Sequence, residues 1–310
     1  MGRYIIRRVL IFFPTLLVII LIVFSIMSLT PNNPGAVILG LRGTPETIAA
    51  LNHEFGYDRP VLVRYADYIA HLARGDMGTS YITGRSVFGE IARRFPTTVK
   101  LALLSIVLAS AIGILLGILS AVRQYGVFDV ISTAAAMFMA SMPSFWFALI
   151  AILVFSLSLK WLPSYGLDSW RHYILPSLTL ALAESASIMR LTRTTMLETI
   201  RQDYIRTARA KGQTERKVIF RHALKNALLP VVTVIGMDFG WLLGGAVVIE
   251  QVFSINGVGK LIIESIRMKD VPQVTGCAVF LAFFFMLAML AVDILYAHID
   301  PRIKARYQRR

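Results

Sequence analysis

Long apolar runs alternate with short polar segments along the whole chain. Val9 to Leu29, Leu101 to Val122 and Val130 to Leu159 contain no charged residue, and Ile174 to Met189, Leu229 to Val248 and Val274 to Ala297 continue the series. An α-helix rises 1.5 Å per residue, so about 20 apolar residues cross the hydrocarbon core of a bilayer. The pattern therefore predicts six transmembrane helices and an all-α, polytopic membrane protein. Val130 to Leu159 is longer than one straight crossing requires and contains Pro143, which predicts a kink there. The first run exceeds the length of a signal-peptide apolar region, and no small-x-small cleavage site follows it, so it reads as a retained span.

Within the runs, small residues recur at helical spacing. Ser105, Ala109, Gly113, Gly117 and Ala121 form one ladder and Gly236, Gly240 and Gly244 another, a pattern that lets a neighbouring helix approach closely. Between the first two runs, Thr30 to about Thr98 is too polar to span. Thr44-Pro45-Glu46 supplies an N-cap, a proline at the first helical position and an acid in the first turn. After Asp58-Arg59-Pro60 a second helix places Leu62, Tyr65, Ile69 and Leu72 on one face and stops by Gly75. Trp161, Tyr165 and Trp170 cluster after the third run, as aromatic residues do at a membrane interface.

The polar stretch that stands out is Asp203 to Pro230. Leu197, Ile200, Tyr204 and Ala208 form one apolar stripe that ends at Gly212, a residue suited to the position after a helix C-cap. A second amphipathic helix starts near Thr214, with Phe220, Ala223, Leu224, Ala227 and Leu228 on one face and Lys217, Arg221 and Lys225 on the other. The expectation is two short helices at the membrane surface with a glycine break between them.

Composition agrees with a membrane protein: 56% of the 310 residues are hydrophobic and mean hydropathy is +0.66. The net charge of +14 sits in segments that flank apolar runs, which points to the membrane surface and not to nucleic acid. With six spans both termini share a side. That side carries 19 Lys and Arg against 13 on the other, and 8 of the 13 lie in the long segment 30–100, which counts weakly. The Asp203–Pro230 loop is thereby predicted to be cytoplasmic. Cys277 is the one cysteine, so no intrachain disulfide is possible and it reads as a small buried residue.

No nucleophile–base pair or metal-ligand set is visible, since His53, His71, His172, His222 and His298 are scattered. Ser254-Ile-Asn-Gly-Val-Gly-Lys-Leu261 has some look of a phosphate loop but lacks the first glycine and the Ser/Thr after the lysine. Glu184 and Asp238 are acids within spans, and ionisable groups at that depth are costly and usually functional. They either line a translocation path and meet a cationic group, or pair with a neighbour such as Arg190 or a hydroxyl. Asp293, near the inner end of the last run, is expected to be solvated.

Tyr204-Ile-Arg-Thr-Ala-Arg-Ala-Lys-Gly212 followed by Arg221-His-Ala-Leu-Lys-Asn-Ala-Leu-Leu-Pro230 resembles the "EAA" loop of bacterial ABC importer permeases. More narrowly it resembles the dipeptide, oligopeptide, nickel and glutathione branch, as do Phe55 to Ser80 and the closing Asp293-Ile-Leu-Tyr-Ala-His-Ile-Asp-Pro-Arg302. Where other branches carry Glu-Ala-Ala, Arg206, Thr207 and Ala208 stand here. The resemblance implies a type I importer transmembrane domain in the bacterial inner membrane. Its parts would be a first helix (1–29), a periplasmic helical region (30–98), a five-helix domain (99–297) with a cytoplasmic coupling loop (190–228), and a basic cytoplasmic tail (298–310). It also implies that Asp203, Tyr204, Arg206, Thr207, Ala208, Arg209, Ala210, Lys211 and Gly212 dock into an ATPase. The implied partners are two cytoplasmic ATPase subunits, a second related permease and a periplasmic solute-binding protein. ATP would be hydrolysed on those partners, and no cofactor is implied for this chain. A secondary transporter or channel of six spans is the alternative, and it would work without nucleotide; a membrane enzyme would need a catalytic grouping that the sequence does not offer.

Overall fold

The computed structural model describes residues 2–29 and 33–299, and all regular elements among them are helical. Among the described residues five helices are long and apolar enough to cross a membrane, and a bent pair brings the number to six when counted as one span. The basic tail from 300 to 310, with the end of the closing motif, lies outside the described residues.

The core is built on α5 (Val87–Val122) and α8 (Ile174–Ile200), which pack along much of their length. The first small-residue ladder makes this possible. A Cβ on Gly113 would lie 2.8 Å from Ile188, and one on Gly117 would lie 2.6 Å from Thr192 and 2.8 Å from the Met189 carbonyl. Ser105, Ala109 and Ala121 are buried in the same seam. α11 (Leu224–Gly245) closes the core against α5 and α8. Its own ladder faces α14 (Val271–Ile299), with Gly236 against Val292 and Gly240 against Met289, while Gly244 meets open space.

α1 (Gly2–Leu29) lies outside this core, against α14, and exposes Ile11, Val18, Ile22 and Ile26 as a lipid-facing helix would. Arg8 pairs with Asp293 at 2.9 Å, so Asp293 ties the first and last spans together and is not merely solvated as expected. Three short helices follow: α2 (Pro34–Leu39), α3 (Pro45–Glu54) and α4 (Val61–Ala73). α3 has the predicted Thr44 cap, and α4 is hydrogen-bonded to α1 through Tyr65 Oη and the Leu17 carbonyl at 3.0 Å. α5 starts at Val87, well before the apolar run at Leu101. Its charged first turns are paired locally, with Glu90 2.8 Å from Arg93 and 3.2 Å from Arg85.

The third apolar run is broken, not kinked. α6 (Val127–Ser141) and α7 (Ser144–Ala151), the latter continued by a π-helical turn to Ser158, meet at 102° around Met142 and Pro143. The residue before a proline is driven out of the helical region, and Met142 is extended at ψ 134°. Trp161, Tyr165 and Trp170 are all exposed beyond this bend.

The expected pair of surface helices is also corrected. α8 ends at Ile200 and α9 (Asp203–Ala210) begins after a break at Arg201 and Gln202, so the stripe from Leu197 to Ala208 is not one helix. The helix starting at Thr214 does not lie apart either. α10 (Glu215–Lys217) runs through a π-helical turn, Val218–Ala223, straight into α11 past Pro230. The wider turn shifts the face, which leaves Phe220 53% exposed while Val218, Ala223 and Ala227 are buried.

On the opposite side, α12 (Val247–Val252) and α13 (Val258–Arg267) form a hairpin over the ends of α5 and α14.

Candidate functional site

α9 is short, polar and held at both ends. Asp203 in its first turn complements the positive end of the helix dipole. At its other end, Gly212 N–H donates to the Arg209 carbonyl at 2.9 Å and Gln213 N–H to the Ala208 carbonyl at 3.3 Å, the paired bonds of a Schellman motif. That motif needs a left-handed residue, and Gly212 sits at φ +74°. Arg209 then spans the turn and donates to Glu215 at 2.6 and 3.3 Å, and this contact holds the Arg209 pKa above its usual value.

One buried side chain seats α9 on the bundle. Ile205 is fully buried among Ile118, Ala121, Met196, Val218 and Ala223. Leu197, Ile200 and Ala208 pack on the rim of this cluster, whereas Tyr204 is 44% exposed and accepts from Asn226 Nδ2 at 2.8 Å. Periodicity across an unbroken helix selects Tyr204 for the buried face; the break at Gln202 rotates the register and turns Ile205 inward. Asp203, a helix-start residue just after that point, was the available signal. Asp203, Tyr204, Arg206, Thr207, Arg209, Ala210, Lys211 and Gly212 are all exposed, and Ala208 is half-buried. The result is a protruding knob whose polar and basic groups are unburied, seated by buried Ile205 and tied to α11 by the Tyr204–Asn226 hydrogen bond.

Behind the knob lies an ion pair that sequence reasoning missed. Arg193 of α8 donates to both oxygens of Asp129, Nε at 2.6 Å and Nη2 at 2.7 Å. The Asp129 carboxylate, 3% exposed, also accepts from Ser120 Oγ at the end of α5 and from Tyr125 N–H at 2.9 Å. One carboxylate thus joins α5, the α5–α6 turn, the start of α6, and α8 about two turns before its end. Arg201 adds a bond to Gln124 at 3.3 Å.

Deeper in the bundle, Glu184 of α8 and Asp238 of α11 are both partly buried. Neither has an ion pair or hydrogen bond among the described residues, and Asp238 Oδ2 is buried without a donor. Of the two alternatives for these acids, the pairing with Arg190 or a hydroxyl is not made among the described residues. Two carboxylates without a counter-charge in an apolar bundle create a locus where a cation is favoured.

Across the bundle, Glu250 is fully buried and accepts from Thr98 Oγ1 at 2.6 Å and from the backbone N–H groups of Lys260, at 3.0 Å, and Gly259. Thr98 Oγ1 in turn accepts from Val258 N–H at 2.9 Å. A Cβ on Gly257 or Gly259 would collide with the carboxylate. The Ser254–Leu261 segment does wrap an anion, and the anion belongs to this chain. Burial pushes the Glu250 pKa up against the opposing pull of its three donors. Among the described residues no cluster of His, Cys, Asp or Glu could hold a metal ion.

Residues 113–305 match the family model described as the inner membrane component of binding-protein-dependent transport systems, and residues 1–102 match the N-terminal model of such membrane components. The glutathione transport system permease protein GsiC of Salmonella typhimurium strain LT2 is 40% identical over 304 residues, 98% of this chain and 99% of that protein. GsiC of Escherichia coli strain K12 matches to the same extent. Among solved structures, the MetNI methionine ABC transporter in inward-facing conformations aligns with a TM-score of 0.58 at 18% identity, covering 68% of this chain and 96% of that one. The helical bundle is thus the fold of an ABC importer transmembrane domain. The full-length likeness to permeases of glutathione systems and the match to both family models establish the rest: this chain belongs to the inner membrane components of binding-protein-dependent transport systems, as the transmembrane permease subunit of an ATP-driven importer.

Proposed function

We propose that this subunit forms half of a translocation path for glutathione or a short peptide, paired with a second related permease. Two cytoplasmic ATPases dock on the α9 knob, and a periplasmic binding protein delivers the cargo. Both termini lie in the cytoplasm, with α2–α4 and the α12–α13 hairpin outside. The observation that carries this reading is α9 itself, an exposed basic helix pinned by Ile205 and capped by a left-handed glycine. Closure of the ATPases on nucleotide displaces α9, and the Asp129–Arg193 contact carries the displacement to α6. Nucleotide and binding protein each favour a different state of the bundle, and cycling between the states moves cargo. Glu184 and Asp238 line the path and receive the cationic amino group of the cargo.

The test is reconstitution of the permease pair with and without its ATPases, together with cysteine cross-linking. A cysteine at Arg206 or Lys211 should cross-link to an ATPase and be labelled only from the cytoplasmic side, and uptake should require ATP. Labelling from outside, or uptake that persists without nucleotide, would overturn the reading in favour of a secondary transporter.

A further inference from the structure

A cleft of about 360 Å³ opens between the outer end of α1, α4, the segment after α4 and the start of α14, away from the α5–α8–α11 core. Its walls are aromatic. Phe24 of α1 stands 5.6 Å from Tyr68, and Phe55 stands 5.4 Å from Tyr81. Its floor is fixed, because Asp270 at the head of α14 accepts from Ser80 Oγ and from Tyr81 N–H at 3.1 Å, and Asp76 accepts from Gly78 N–H at 2.8 Å.

Two polar groups in this lining lack the partners their chemistry calls for. Arg64 has no carboxylate within ion-pair distance among the described residues and is held by the faces of Tyr57, at 4.0 Å, and Phe24, at 5.9 Å. The Tyr68 hydroxyl is buried and has no hydrogen-bond acceptor, although nearly all such groups in folded proteins find one. The acid in the lining, Asp76, is already engaged by His71 at 3.2 Å. What is missing is an anionic acceptor: a carboxylate or phosphate would satisfy both the guanidinium and the phenol, and the rings would cover an apolar body.

We propose that this cleft is a binding site, outside the central bundle, for a small anion-bearing molecule with an apolar portion. Two sources meet that description, an anionic phospholipid entering from the outer leaflet along α1 and a free amino acid or short peptide entering from the periplasm. The site does not depend on the cargo or coupling assigned above, because it is read by binding and not by uptake.

The experiment uses the assembled transporter without its binding protein. One arm places it in nanodiscs containing phosphatidylglycerol and measures lipid retention by native mass spectrometry. The other places it in phosphatidylcholine nanodiscs and measures binding of radiolabelled Ala-Phe at equilibrium. At least one probe should bind the wild type. Arg64→Gln should weaken that probe by about tenfold or more, the scale of a lost charged hydrogen bond, and Tyr68→Phe, which keeps the ring, should weaken it severalfold. Whichever arm responds names the source. Failure of both probes to bind the wild type, or binding unchanged in both variants, would overturn the site.

Discussion

Replacing Arg193 by glutamine is the most direct test of how the cytoplasmic side is held together. The Asp129 carboxylate, 3% exposed in the intact pair, is then left with Ser120 Oγ, Tyr125 N–H and, at 3.5 Å, Thr133 Oγ1 as donors. Removing one partner of a buried ion pair costs about 3–5 kcal/mol, mainly because the remaining charge stays desolvated. The Arg193 side chain is itself 24% exposed, so water can re-enter beside Asp129, and the lower end, about 3 kcal/mol, is expected. Asp129→Asn should cost less, about 1–2 kcal/mol, since the charge left behind is the better-solvated one. The double variant should then be more stable than Arg193→Gln alone, with a coupling energy above about 1.5 kcal/mol. The assay is the fraction of intact, monodisperse permease assembly after heating in detergent, followed by fluorescence-detected gel filtration. An Arg193→Gln midpoint equal to wild type, or a double variant no better than the sum of the singles, would refute the reasoning.

Two glycines should respond to substitution for opposite reasons. A Cβ at Gly212 would meet no neighbouring atom, but Gly212→Val forces a β-branched residue to φ +74°, at a cost of about 1–2 kcal/mol, and should lower ATP-driven uptake in vesicles while Gly212→Asn largely retains it. Gly117→Ala has ordinary helical backbone but drives a methyl into Thr192 and the Met189 carbonyl, and should cost about 1–3 kcal/mol in heating assays of the assembly. Ile205→Ala should empty a well-packed site at about 2–5 kcal/mol of local stability; ATP hydrolysis should then continue while uptake falls, and wild-type coupling would count against the anchor. Thr98→Val removes one of the three donors to the Glu250 carboxylate and strands Val258 N–H, whereas Thr98→Ser keeps both bonds, so only the first should markedly lower thermal stability.

Much of this architecture is legible in the sequence because bilayer crossing demands a length and an apolarity that few other structures share. The Thr44 cap, the turn at Gly212 and the small-residue seam on α5 were equally readable, since each depends on residues close together in the chain. What periodicity misses is instructive. α5 begins at Val87, capped by Ser86, because Glu90 pairs with Arg93 and Arg94 within the helix and Glu264 of α13 adds a second acid beside Arg94, and hydropathy records only their charge. A proline announces a bend but not its size, and the 102° turn at Pro143 follows from full loss of helical backbone at Met142. Tyr204 took the place of Ile205 because a two-residue break resets the register of everything after it. The buried polar contacts were out of reach for another reason. Asp129 and Arg193 are 64 positions apart, Thr98 and Glu250 152, and a lone acid beside a turn looks the same whether its partner is a distant residue or water.

The Glu250 cradle bears on how glycine-rich anion motifs are read. Backbone N–H groups gathered by Gly257 and Gly259 have the chemistry to seize a phosphate, yet they are already saturated from within, like a receptor sold with its ligand attached. Such a loop is indifferent to nucleotides in its surroundings. Its glycines are dictated by a carboxylate on the preceding helix, so wherever a similar run follows a short helix ending near an acid, that acid is the first tenant to look for.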